Sequence, residues 1–405
     1  MNSGGKRRAA ITGFGCVTAL GGNAEDTWLN VRAGRSARKV LTVIATEGCR
    51  VREGAQADLP LWRCNSEKEL ARLSRASRLA LPAAGEALAS AGFLGPGNRC
   101  LLPRMEMCVS TTACGMEKGE EFLRGVWEGK TAGQSARVRH YQAQQQIREM
   151  QRCFAFAGPS MIVANACAGG GNAIGHAADL IRAGAADTVF AGGYEALCEL
   201  VFAGFDCLQS LAPDACRPFD QGRTGLMLGE GAGFLVLENE GNARSRGATI
   251  HGFIEGYGHG TDTGHLTQPS QDGTPLEKAM RMALADAEMT ADRIGYVNAH
   301  GTGTPLNDRA EASAFARVFG ATKAKLSSTK AALGHTLGAA GAIEAVICLL
   351  TLRDQVLPPQ INLLDPEPLV AGSLSAQGES ADMEAVMSIN LGFGGSNAAL
   401  VISRA

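Results

Sequence analysis

The chain has 405 residues, a net charge of −2, an apolar share of 45 % and an aromatic share of only 5 %. That length exceeds what one hydrophobic core serves, and the near-neutral balance excludes a general attraction to nucleic acid or to an anionic membrane. The longest apolar helix candidate near the C-terminus, 345–352, is far too short to span a bilayer, and the 52 glycines point to closely approaching backbones.

In chain order, β-branched apolar segments alternate with helical periods, the pattern of an α/β protein. Lys6-Arg7-Arg8 ahead of Ala9-Ala10-Ile11 opens like a signal peptide, but Gly13, Gly15, Gly21 and Gly22 interrupt the run. It is read instead as a strand over 9–15 ending in a glycine turn. Helices are expected over 25–33, with Trp28, Leu29 and Val31 as apolar members, and over 68–92, closed by Gly92. Strands follow over 105–111, 161–166, 186–191 and 231–238. The polar stretch 241–247 marks a second half that repeats the alternation: segment 248–257, helix 275–287, strand 294–299, helix 308–319, strand 325–329, helix 335–353, and a hairpin of 386–390 with 398–403. The halves divide as 1–244 and 245–405. The glutamine-rich part of 104–151 is expected at a surface or interface, and 362–381 as loop.

Twelve cysteines are scattered without CxxC pairs. Without an export signal they read as reduced thiols of a cytoplasmic protein, mostly small buried hydrophobes. Neither cysteine nor histidine clusters at metal-ligand spacing.

Four segments carry chemistry. In Val163-Ala164-Asn165-Ala166-Cys167-Ala168-Gly169-Gly170-Gly171 a strand stops at a cysteine and a helical period follows. A thiol at a helix N-terminus is favoured as an anion, with a pKa expected at roughly 3.5 to 7.5. Taken alone, the segment fits a reactive thiolate and a buried structural cysteine equally well. In Asn298-Ala299-His300-Gly301-Thr302-Gly303-Thr304 a strand delivers a histidine into a small polar loop, where it can donate hydrogen bonds to a cavity. In Thr329-Lys330 through Gly334-His335-Thr336-Leu337-Gly338 a strand ends at a lysine, for which Glu344 is the candidate ion-pair partner. His335 then opens a glycine- and alanine-rich helix. Asn390-Leu391-Gly392-Phe393-Gly394-Gly395 is a glycine turn whose amides can hold an oxyanion. The runs Gly13-Phe14-Gly15 and Gly256-Tyr257-Gly258 do not complete a dinucleotide-binding fingerprint.

Together these segments closely resemble the β-ketoacyl-acyl carrier protein synthases, the elongating condensing enzymes of fatty acid and type II polyketide synthesis. The likeness runs almost end to end, from Ala10-Ile11-Thr12-Gly13-Phe14-Gly15 through Gly192-Gly193 and Leu228-Gly229-Glu230-Gly231-Ala232-Gly233 to the Gly-Phe-Gly-Gly turn. One cysteine with two histidines favours the elongating class over initiating synthases and thiolases. The resemblance implies the thiolase fold, two related halves in a five-layer α/β/α/β/α arrangement, and a dimer with its pocket near the interface. The dimer is either a homodimer or a heterodimer with a chain-length-factor-like subunit. It also implies residue roles. Cys167 takes an acyl group from the phosphopantetheine arm of an acyl carrier protein, with its own amide and that of Phe393 as oxyanion hole. His300 and His335 then bond to the oxygen of a malonyl thioester as carbon dioxide leaves. Lys330 and Glu344 match supporting positions, Thr302 and Thr304 pantetheine contacts, and Phe393 a gate. No bound cofactor or metal is implied, because the substrates ride on the carrier's arm.

Some positions depart from the family pattern. Gly169 to Gly171 stand where hydroxyl residues are usual, Thr224 where aspartate is common, and Asn390-Leu391 where serine and phenylalanine are usual. Ala113 is small for a place near the acyl pocket. These departures point to a specialised polyketide or polyene chain rather than to a different reaction. The alternatives are a non-condensing partner subunit, which lacks the nucleophile, and a carrier-thioester decarboxylase.

Overall fold

The computed structural model describes residues 7–60, 72–130 and 132–405. The first half contributes β1 (Ala9–Thr18), a side ribbon of β2 (Lys39–Val40) and β3 (Glu53–Gly54), then β4 (Glu106–Ser110), β5 (Ser160–Val163), β6 (Thr188–Glu195) and β7 (Gly231–Asn239). The second contributes β8 (Gly252–Thr261), β9 (Ile294–Asn298), β10 (Lys325–Ser327), β11 (Ala385–Gly392) and β12 (Ser396–Ser403). The order across the main sheet is β10-β9-β11-β12-β8-β1-β7-β6-β4-β5.

Outward from the β8–β1 junction the two series correspond strand for strand. In each, the first strand runs antiparallel to the last, the last antiparallel to the fourth, and the fourth, second and third run parallel. The series meet through three residue pairs only, with Ala9, Ala10 and Ile11 lying opposite Ile254, Phe253 and Gly252 respectively.

Both faces of the sheet are apolar, and the two-residue period of a strand sorts its side chains into layers. Leu235 and Leu237 of β7 join one core while Phe234 and Val236 join another. Leu400 and Ile402 of β12 face that first core, and Ala399 and Val401 a third. The helices Gly169–Arg182 and Ala340–Asp354 lie between the two halves of the sheet. Arg75–Ser90 and Ala143–Phe154 cover one outer face, and Thr274–Asp286 with Pro305–Phe319 cover the other. The result is five layers, α/β/α/β/α. Helix 340–354 is buried along nearly its whole length, as a helix apolar on all sides must be. Among the described residues no helix is long and apolar enough to cross a membrane.

Several elements differ from the sequence expectation. β1 does not stop at Gly15 but runs to Thr18. Its glycines admit helix 75–90, since a Cβ on Gly13 would lie 2.3 Å from the Ala87 carbonyl oxygen. That helix starts at Arg75, with Ser74 accepting from the Ser77 amide as N-cap. The expected helical residues 68–71 lie outside the described residues. The stretch expected as one helix over 335–353 begins instead as a 3-10 turn, Leu337–Ala339, before the helix Ala340–Asp354, and a separate short helix, Lys330–Leu333, follows the strand that stops at Ser327. Positive φ at Leu337 (47°) breaks the expected helix near its start, and positive φ at Gly334 (75°) ends the short one before it. The glutamine-rich segment is no surface excursion throughout. Gln146 is fully buried and donates to the His140 carbonyl at 2.7 Å. Among the described residues ten cysteines are free thiols, but Cys153 is disulfide-bonded, contrary to the all-reduced expectation. Scattered spacing carried no sign of that bond.

Candidate active site

β5 ends at Val163, and the chain reverses through Ala166, a non-glycine residue held at φ 47°. A 3-10 turn, Ala166–Ala168, follows, and helix 169–182 begins at once. Strained backbone of this kind persists only where surroundings over-determine it. Here the next residues have no room to relax. A Cβ on Gly169 would lie 2.1 Å from Ser110 Oγ, and one on Gly170 would lie 2.8 Å from the Ala342 nitrogen. The three consecutive glycines therefore seat the start of this helix against β4 and against helix 340–354. The turn ahead of helix 340–354 has the same form, with Leu337 at φ 47° where the first has Ala166.

Cys167 is only 6 % exposed. Burial pushes its thiol up to about 12, against the pull of Lys330 and with the push of the Glu195 and Glu344 carboxylates. The expected low thiol pKa is thus not met, because desolvation outweighs the helix N-terminus. Glu195 is itself buried. It accepts from the amides of Thr112 (2.7 Å), Ala113 (2.9 Å) and Gly338 (3.1 Å), and burial raises its pKa to about 7.

β9 ends at Asn298 and delivers His300 into a loop held by two acids of helix 305–319. Glu311 accepts from the amides of His300 (2.5 Å) and Gly301 (2.7 Å), and Asp308 accepts from the Gly303 amide at 3.1 Å. Ser328 donates to the Gly301 carbonyl at 2.6 Å. His335 is fixed from its backbone, its amide donating to Met227 O at 2.6 Å and its carbonyl accepting from Gly229 N at 3.0 Å. The two imidazoles meet edge to face, 5.1 Å between centroids and 87° between planes. In each ring Nδ1 is sealed in the protein with no partner among the described residues, which leaves Nε2 as the nitrogen open to a ligand. Burial, then the charge of Lys330, holds both rings well below the ordinary histidine range, so both are neutral at pH 7.

Lys330 and Glu344 form a buried ion pair, and Asn390 Nδ2 donates to the second Glu344 oxygen at 2.6 Å. Asn390 thus completes the carboxylate's shell. Its side chain also lies where helices 169–182 and 340–354 cross, against the space a Cβ on Gly171 or Gly341 would need.

Cys167, His300, His335, Thr302, Thr304 and Phe393 all line one cavity of about 400 Å³. The hydroxyls of Thr302 and Thr304 are 2.9 Å apart within its wall. Lys330 and Glu344 are not part of the lining and act from behind it. Phe393 begins the turn between β11 and β12. A Cβ on its neighbour Gly392 would lie 3.3 Å from the Cys167 nitrogen, so this backbone passes beside the thiol's own amide. Sequence reasoning found these eight residues. It missed Glu195 and Glu311, which hold the loops, and noted Asn390 only as a departure from the family pattern and not as the partner of Glu344, because single acids and amides inside regular elements carry no local signal.

Two family models match the chain: the β-ketoacyl synthase N-terminal domain over residues 6–243 and the β-ketoacyl synthase C-terminal domain over 251–364. The chain belongs to the β-ketoacyl synthase family. This synthase is 36 % identical over 366 residues to Nodulation protein E of Rhizobium meliloti (strain 1021), covering 89 % of the chain and 90 % of that relative. It is 33 % identical to 3-oxoacyl-[acyl-carrier-protein] synthase 2 of Vibrio harveyi, covering 98 % of the chain and 99 % of that protein. The solved ishigamide ketosynthase/chain length factor superposes with a TM-score of 0.90 at 30 % identity, over 99 % of this chain and 100 % of that one. The five-layer arrangement is that of the thiolase fold.

Proposed function

We propose that the protein joins an acyl group to a malonyl unit by decarboxylative Claisen condensation, both substrates being thioesters on the phosphopantetheine arm of an acyl carrier protein. The observation that carries this reading is the convergence of one thiol and two neutral imidazoles on a single cavity. Family membership and the relative whose name gives a 3-oxoacyl-carrier product support it.

In the first step Cys167 Sγ attacks the acyl thioester carbonyl. The amides of Cys167 and Phe393 hold the oxygen's negative charge, the bond to the pantetheine sulfur breaks, and that sulfur leaves with the thiol proton. Because Cys167 rests protonated, its proton departs during the attack rather than before it. In the second step a malonyl thioester lies with its carbonyl oxygen at the Nε2 atoms of His300 and His335. Its carboxylate leaves as carbon dioxide, and the electron pair passes into an enolate whose oxygen the two imidazoles stabilise. Loss of one such donor elsewhere costs about 3 kcal/mol in the barrier. The enolate carbon attacks the acyl group on Cys167, and the sulfur is released and takes a proton from solvent. Neutral rings suit this task, since they donate to a developing charge without trapping the malonyl carboxylate.

The charge of Lys330, held in place by Glu344, helps keep the rings neutral, Thr302 and Thr304 receive the arm, and Phe393 gates the cavity. The halves divide at 244/245, the chain works in the cytoplasm, and it pairs with a second copy or with a chain-length-factor-like subunit. The small Ala113 and the Asn390-Leu391 pair, with relatives named for nodulation and for ishigamide, support a specialised acyl chain. Intact and digested mass analysis after mixing with acyl- and malonyl-carrier protein tests the reading. An acyl adduct on Cys167 followed by a β-ketoacyl carrier is the expected result, and no adduct at any chain length overturns it.

A further inference from the structure

The helix Glu199–Cys207 passes beside the cavity and places Phe205 in its wall. The Phe205 ring stacks on that of Phe393, 5.6 Å between centroids and 28° between planes. The Phe393 side of this pair is the open one. The residue is 41 % exposed, and it precedes two glycines at φ 81° and 83°. The turn's backbone is tied down, with Gly394 N donating to Leu266 O and Asp262 N donating to Gly395 O, both at 2.7 Å. What remains free is the side chain.

The Phe205 side is fixed at both ends of its helix. Glu120 accepts from the Leu200 amide at 2.8 Å, and Arg124 pairs with Glu199 at 2.7 Å. One residue beyond Phe205, the buried Asp206 accepts from the amides of Arg50 (2.9 Å) and Val51 (3.3 Å). Phe205 also packs on the apolar cluster that contains Cys167, Phe202 and Leu337. A free ring therefore rests on an anchored one.

We infer that Phe205 is a positioning residue that holds the Phe393 ring in the place where Cys167 is covered, so that entry of an acyl chain must break this stack. The inference rests on the gating role assigned to Phe393 above. An aromatic pair of this kind shifts an equilibrium by about 2- to 12-fold. Because helix 199–207 is bonded to the helix Met116–Trp127 through Glu120 and Arg124, the resting place of the gate is set by elements remote from the chemistry.

The test measures alkylation of Cys167 by iodoacetamide in the full chain, read on the digested peptide that carries Cys167 and so apart from the exposed Cys207, with thermal unfolding as a check on folding. Phe205→Ala should raise the rate about 2- to 12-fold, and Phe205→Tyr, which retains the ring, should return it to the parent value. Phe393→Ala should raise it similarly, and the double variant should add nothing further, as expected when two residues act through one contact. Full additivity of the two effects, or no change in Phe205→Ala where Phe393→Ala responds, overturns the inference. The same variants are then offered acyl-carrier thioester. If the alkylation pattern holds while no variant, nor the parent, forms an acyl adduct, the condensing function fails and the Phe205 contact stands.

Discussion

Replacing Lys330 by methionine removes one partner from an ion pair whose two side chains are 2 % and 3 % exposed. Glu344 then keeps only the Asn390 donor at 2.6 Å. Stranding a buried charge in this way costs about 3–5 kcal/mol of stability, against about 0–1 for an exposed pair. The deficit should depend on pH, with a sign fixed by Glu344. Its folded-state pKa is already raised by burial, and Lys330 is the strongest force pulling it back. Without Lys330 the pKa climbs further, so the carboxyl escapes its cost by binding a proton. The variant's deficit is therefore largest at pH 8 and shrinks towards pH 5, nearer the unfolded value of about 4.3. Urea unfolding followed by tryptophan fluorescence at both pH values measures it, and Lys330→Met/Glu344→Gln should recover part of the loss at pH 8. The charge of Lys330 also lowers the pKa of both imidazoles, so its removal should move the acidic limb of the condensation rate to higher pH. A deficit below about 1 kcal/mol, or one equal at pH 5 and 8, would refute this account of the pair.

Gly341→Ala would set a Cβ 2.4 Å from Asn390 Oδ1 and 2.5 Å from the Gly171 nitrogen, and overpacking there should cost about 1–3 kcal/mol. An unchanged urea midpoint would show that the helix crossing can relax. Burial raises Glu86, Glu117 and Glu195 to about 7 and Glu311 to about 8. Folded pKa values above the unfolded ones mean that this stability is full below about pH 4.3 and is lost as pH rises through 7 to 8, so the urea midpoint should be lower at pH 8.5 than at pH 6.5. A flat or rising midpoint over that interval contradicts it. Finally, alkylation of Cys167 should keep accelerating from pH 7 to 10, because the thiol stands near 12. A plateau near neutrality would mean that the helix N-terminus prevails over burial.

The closing hairpin was legible because alternation and a glycine turn are local signals, and β11 and β12 pair as expected, each extending to the turn. The end of β1 was not, since glycine in a strand reads as a turn unless one knows that the Ala83 and Ala87 carbonyls lie against it. The turn ahead of Ala340 was equally hidden, for residues 335–339 read as the start of a helix and only the positive φ of Leu337 reveals the 3-10 turn. In the site, Cys167, His300 and His335 stood out because each follows a strand into small residues. Glu195 did not, because its partners Thr112 and Gly338 lie 83 and 143 residues away. The thiol's pKa failed for the same reason: the helix start is written locally, while the burial and the two carboxylates that overcome it arrive from distant parts of the chain.

The paired turns at Ala166 and Leu337 bear on stoichiometry. Counting from those two residues, the counterpart of Cys167 in the second turn is Gly338. No side chain fits there, since a Cβ would lie 2.8 Å from the Thr111 backbone, and the Gly338 amide is already bonded to Glu195. A near-symmetric scaffold thus offers two seats for a nucleophile and fills only one. The other has become a brace for Glu195, and a substrate-like inhibitor that reacts inside the cavity should place one equivalent per chain on Cys167, counted by digested mass apart from the exposed Cys207.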